Sequence, residues 1–177
     1  MRIKKWQIIT AIVCVILGVL LHFTYEWSGE NIIVGVFSAV NESTWEHLKL
    51  AFYPMFLIAI IGCVFIGKRN NYWLAQSMGI LTAMIFIITF FYTYTGVIGT
   101  NIDILNIGSF IIGILLGEYV TYKLLTSKKI YDAEGVSIFF LIILLLSFIL
   151  YTFRPPQIGL FKDPINGNYG IQNLTGI

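Results

Sequence analysis

Residues 6–27 read WQIITAIVCVILGVLLHFTYEW, apolar almost throughout. A helix needs about 20 such residues to cross the hydrocarbon of a bilayer. Arg2, Lys4 and Lys5 precede the run, as the charged start of a secretory signal would. The run is longer than a signal core, however, and it ends in Leu-His-Phe-Thr-Tyr-Glu-Trp rather than in small residues suited to cleavage. It therefore reads as a retained first membrane span.

Four further runs, at residues 43–67, 72–94, 102–125 and 136–153, are also long enough to cross. The fold class that follows is an all-α integral membrane protein, a bundle of about five transmembrane helices. Composition agrees, since 58% of the chain is hydrophobic and only 11% charged, against roughly 25% charged in a soluble domain. Lipid is the expected partner. A net charge of +2 with scattered Lys and Arg excludes a nucleic-acid surface. Cys14 and Cys63 both fall in apolar runs and read as free, buried thiols rather than a disulfide framework.

Residues 32–40 form an apolar segment too short to span. Unpaired amides are not tolerated against lipid, so this segment must re-enter the bundle or lie at the interface. Pro54, inside the second span, removes one helix hydrogen bond and leaves the carbonyl of Leu50 without its donor, which predicts a kink. Residues 1–153 thus read as a five-span domain and residues 154–177 as a polar tail outside the cell. Within the tail, Asp163-Pro164-Ile165-Asn166-Gly167 reads as a turn.

Orientation follows from the basic residues. Arg2, Lys4 and Lys5, then Lys68 and Arg69, then Lys123, Lys128 and Lys129 fall at alternate ends of the spans and so share one side. The positive-inside rule makes that side cytoplasmic. The expected location is the cell membrane, multi-pass, with the N-terminus cytoplasmic and the C-terminus extracytoplasmic. Trp27, Trp45, Tyr92, Tyr94 and Tyr151 then fall near the outer interface, where amphipathic rings are favoured.

Two rows of residues at four-residue spacing carry packing information. Ser109, Gly113 and Gly117 present small side chains on one face of the fourth span, a surface suited to close helix approach. Cys14, Gly18, His22 and Glu26 form a second row on the first span, turning polar toward the outer end, so His22 should face the bundle. At the same depth, the second span opens with Asn41-Glu42-Ser43-Thr44-Trp45-Glu46-His47-Leu48-Lys49. The candidate polar site is therefore His22, Glu26, Asn41, Glu42, Glu46 and His47.

Imidazoles and carboxylates suit a divalent metal such as zinc, and His22, Glu26, Glu46 and His47 are the candidate ligands. They are expected to converge beneath a cover made by residues 32–40 and the tail. The segment contains no His-Glu-x-x-His pattern. Helix capping accounts for part of it equally well: Ser43-x-x-Glu46 has the form of a capping box, Asn41 is an alternative cap, and Lys49 is placed to pair with Glu46. Capping explains neither His47 nor the arrival of His22 at the same depth.

The runs 21–29 (LHFTYEWSG) and 37–49 (FSAVNESTWEHLK), with the ending Asp163-Pro164-x-x-Gly167-x-Tyr169-Gly170-Ile171, resemble an uncharacterised family of small bacterial membrane proteins. The resemblance covers nearly the whole chain and implies membrane class, with no activity attached. Glu118 is a further intramembrane acid, near the inner end of the fourth span. A carboxylate in hydrocarbon must be neutral, paired or open to water, so Glu118 reads either as snorkelling toward Lys123 or as a proton or cation site. Three function classes follow: an intramembrane metal-dependent enzyme, a cation or proton-coupled transporter or channel, and a non-catalytic accessory protein.

Overall fold

The structure is a computed structural model that describes residues 3–66 and 69–171. Arg2 and Lys68, two of the charges used for orientation, lie outside the described residues, as do Gly67 and the last residues of the tail, 172–177. The protein is an all-α membrane bundle. Five helices are long and apolar enough to cross a membrane: α1 (Ile3–Trp27), α3 (Thr44–Ile66), α4 (Tyr72–Ile98), α5 (Asp103–Leu125) and α6 (Glu134–Phe153). One short helix, α2 (Ile32–Gly35), falls between the first two.

Four of the spans close a ring in which α1 touches α3 and α5, and α4 touches α3 and α5. The α4–α5 contact is the most extensive, and small residues make it possible. Ser109, Gly113 and Gly117 are all buried on this face. A methyl group added at Gly113 would stand 3.1 Å from the Ala83 carbonyl oxygen, and one at Gly117 would stand 2.5 Å from that of Gly79. The backbones are therefore as close as glycine permits.

Helix α6 lies outside the ring against α4. Its Phe148 ring sits 4.6 Å from Trp45 and 4.9 Å from Phe52 of α3. The tail then folds back over the same end. A 3-10 turn at Gly159–Phe161 places Phe161 4.8 Å from Trp45 and 5.3 Å from Tyr151. The turn expected in the tail forms, with Gly167 at φ 78° and its N–H donating to the Asp163 carbonyl oxygen at 2.9 Å.

The segment before α3 solves the backbone problem posed by its shortness. The Ser38 hydroxyl accepts from the Tyr25 N–H at 3.0 Å and donates to the Leu21 carbonyl, stitching the segment to the end of α1. From α3, Lys49 Nζ donates to the carbonyl oxygens of Gly35 at 2.9 Å and Ser38 at 3.2 Å. Glu46 pairs with Lys49 at 2.6 Å and accepts from the Val40 N–H at 3.1 Å. Both charged side chains are essentially inaccessible, at 0% and 2% exposure. A buried ion pair thus satisfies backbone groups that lipid could not.

Pro54 falls inside α3, and the Leu50 carbonyl that lacks its helical donor is met by Gly18 of α1, where a Cβ would lie 2.5 Å from the oxygen. Gly18 therefore brings α1 close to α3 one turn below His22. That approach sets the spacing of the site described next.

Candidate metal centre

His22 leaves the inner face of α1 one turn after Gly18, four residues along a helix returning to nearly the same direction. One turn further on, Glu26 has left the bundle and is exposed. Opposite His22, the chain enters α3 through a bend at residues 40–42. Asn41 controls this bend: its Oδ1 accepts from the Ser43 N–H at 2.9 Å, and its Nδ2 donates to the Gly170 carbonyl oxygen of the tail at 3.2 Å. Ser43 Oγ accepts from the Glu46 N–H at 3.3 Å, forming half of the capping box. The other half is absent, because the Glu46 carboxylate is engaged by Lys49 and Val40.

His47 lies about 100° around α3 from Glu46 and so points away from the ion pair. Its Nδ1 is 3.0 Å from the Ser43 carbonyl oxygen. A carbonyl can only accept, so Nδ1 carries the proton and the lone pair of neutral His47 is on Nε2. That Nε2 lies 3.2 Å from Nε2 of His22. Glu42, carried by the bend, brings Oε2 to 3.4 Å from His47 Nε2 and Oε1 to 3.8 Å from His22 Nε2. One donor atom from each of the three residues falls within 4.8 Å of the others.

The two imidazole nitrogens, 3.2 Å apart, have nearly the separation of two ligands on a tetrahedral zinc ion, about 3.3–3.4 Å. The Glu42 carboxylate approaches them through different oxygens, Oε2 toward His47 at 3.4 Å and Oε1 toward His22 at 3.8 Å. The hydrogen bond from His47 Nδ1 to Ser43 is the kind of outer contact that orients a ligating imidazole. Because His47 Nε2 carries its lone pair, its 3.2 Å contact with His22 Nε2 is a hydrogen bond in which His22 donates. Ion binding therefore requires His22 to move or release that proton. The side chains of His22, Glu42 and His47 are 33%, 41% and 28% exposed, leaving access for an ion and water.

The four residues expected to ligate together thus divide. His22 and His47 meet each other and Glu42, Glu46 turns to Lys49, and Glu26 faces outward. The cover divides in the same way: residues 32–40 lie over the Glu46–Lys49 pair, whereas Ile165 of the tail borders the histidines. A cavity of about 570 Å³ opens beside His22, Glu42 and His47. Asn101, Asp103 and Asn106 add polar groups, while Gly18, Leu50, Ile87, Phe91 and Phe110 form its apolar part. Only the concentration of Asn101, Asp103 and Asn106 around the start of α5 signals their part in the sequence. Asn106 Nδ2 donates to Asn101 Oδ1 at 2.7 Å, and the Tyr94 hydroxyl donates to the same Oδ1 at 2.8 Å.

Glu118 belongs elsewhere. Its Oε2 accepts from Gln7 Nε2 at 2.7 Å, and Lys123 lies over the Tyr119 ring instead. Gln7 is fifteen residues before His22 on one helix, which separates them by about 22 Å along its axis. Glu118 does not line the cavity. The model of a family of unknown function, DUF6512, matches residues 1–171 of this chain. The chain belongs to DUF6512. No curated protein and no solved structure matches this DUF6512 protein, so its functional reading rests on its own side chains.

Proposed function

We propose that this protein is an intramembrane metal-dependent hydrolase, with His22, Glu42 and His47 holding a divalent ion such as zinc at the extracytoplasmic end of the bundle. The observation that carries the reading is the convergence of two imidazole nitrogens 3.2 Å apart with the Glu42 carboxylate, one donor atom of each residue lying within 4.8 Å of the others. Three protein ligands with the fourth position open is the pattern of catalytic rather than closed structural zinc. When bound, such an ion supplies a Lewis acid that activates water at neutral pH.

The protein's own groups supply the rest. Ser43 holds the His47 ring, Asn41 holds the bend that carries Glu42, and Gly18 lets α1 bring His22 within reach. Hydrolysis of an ester adds water oxygen to the carbonyl carbon, breaks the bond to the alcohol oxygen, and delivers a proton to that oxygen. Asp103 is the further carboxylate on the cavity wall and is assigned the transient proton. The distribution of Lys and Arg supports an N-terminus inside and a C-terminus outside, which sets this end of the bundle at the outer face.

Zinc titration of the purified, metal-stripped full chain tests the reading. We expect one equivalent to bind, with affinity lowered at least about tenfold in Glu42→Gln and further in His22→Ala and His47→Ala. Glu26→Gln should retain the parent affinity. Equal zinc uptake by the parent and both histidine variants would overturn the assignment.

A further inference from the structure

The cavity beside the three donor residues has an apolar side as well as a polar end. Val19 and Phe23 of α1 and Ile107 of α5 all line it, and they are 44%, 42% and 55% exposed. All three lie on helices apolar enough to span the membrane. Accessible apolar side chains on these neighbouring helices are what a lateral mouth between α1 and α5 would present. Beneath it, Gly18 and Phe110 continue the apolar wall. The volume of about 570 Å³ lies within the usual range for small-molecule sites, about 300–1,000 Å³. An occupant must present an apolar tail through this mouth and a polar head to His22, Glu42 and His47.

Charge selects the head. A divalent ion with ionised Glu42 has net charge +1, and ionised Asp103 brings the sum to zero. No Lys or Arg is among the described residues that line the cavity. An anionic head would therefore meet Asp103 without a balancing cation, whereas hydroxyl and carbonyl groups would find the amides of Asn101 and Asn106. Resting on the hydrolase reading of the same site, we propose that the substrate is an uncharged acyl lipid bearing ester and hydroxyl groups, admitted sideways from the bilayer between α1 and α5. Its ester would face the residues that would hold the ion, His22, Glu42 and His47, its chain would run past Gly18 and Phe110, and hydrolysis would yield a fatty acid and an alcohol from lipid and water.

The test uses the full chain in phosphatidylcholine nanodiscs with zinc and a monoacylglycerol carrying a photoreactive group in its acyl chain. Labelling is expected on α1 and α5 around Val19, Ile107 and Phe110. Unlabelled monoacylglycerol should compete about tenfold better than phosphatidylglycerol. Ile107→Trp, which fills the mouth, should cut labelling several-fold while retaining zinc binding, and Leu115→Trp, on the same helix but outside the lining, should not. Labelling spread equally over lipid-facing α6, unchanged in Ile107→Trp, would overturn the lateral site. Equal competition by phosphatidylglycerol would overturn the choice of an uncharged head. A parent chain that takes up no zinc yet labels at α1 and α5 would sink the metal reading and leave the lipid site standing.

Discussion

At the scale of single residues, two acids four positions apart have different tasks. Glu42 joins the histidines, whereas Glu46 is buried against Lys49 beneath the segment at residues 32–40. Removing one member of a buried pair leaves the other charge uncompensated, at a cost of about 3–5 kcal/mol. Lys49→Met should destabilise the protein by that order, since it also strips donors from the Gly35 and Ser38 carbonyls. Adding Glu46→Gln to Lys49→Met should recover part of the loss, as read by thermal unfolding in detergent. Failure of the double variant to recover would mean that the lost carbonyl contacts, rather than the orphaned charge, dominate.

At the scale of elements, the α4–α5 contact depends on glycines that leave no room for a side chain. Overpacking a fitted contact costs about 1–3 kcal/mol, so Gly113→Leu and Gly117→Leu should each lower thermal stability. Gly108→Leu on the same helix should be nearly neutral, because nothing lies within 4 Å of the added carbon. Leucine favours a helix over glycine, so if Gly108→Leu proves as damaging as the others, the losses do not come from the close α4–α5 contact. The tail supplies a second case. Phe161 is buried among Trp45 and Tyr151, and truncating a buried Phe costs about 3–5 kcal/mol. Phe161→Ala should therefore destabilise the bundle, and unaltered unfolding would show that the tail contributes little to its stability.

At the scale of the whole molecule, the ring of α1, α3, α4 and α5 brings the first and second spans together at the end where the tail also lies. In the orientation proposed from the distribution of Lys and Arg, that end faces outward. Ser127 and Asn166, both exposed, lie at opposite ends of the bundle. In intact cells, a membrane-impermeant thiol reagent should label Asn166→Cys and spare Ser127→Cys, in a background with Cys14 and Cys63 replaced. The reverse pattern would invert the topology and place the donor cluster inside the cell.

Much of this protein is legible in its sequence because lipid imposes simple rules. The length of each apolar run specifies a crossing, and the helical repeat places Ser109, Gly113 and Gly117 on one face whatever that face meets. The same repeat turns His22 in line with Gly18 and separates His47 from Glu46 by about 100°. It does not state which carboxylate reaches the histidines. Glu42 stands in a bend whose direction depends on Asn41 reaching Gly170, 129 residues away. Lys49 claims Glu46 because residues 32–40 fold over both and bury them. Local periodicity determines directions within one helix; the ligand set depends on where separate segments meet, and only the tertiary structure decides that.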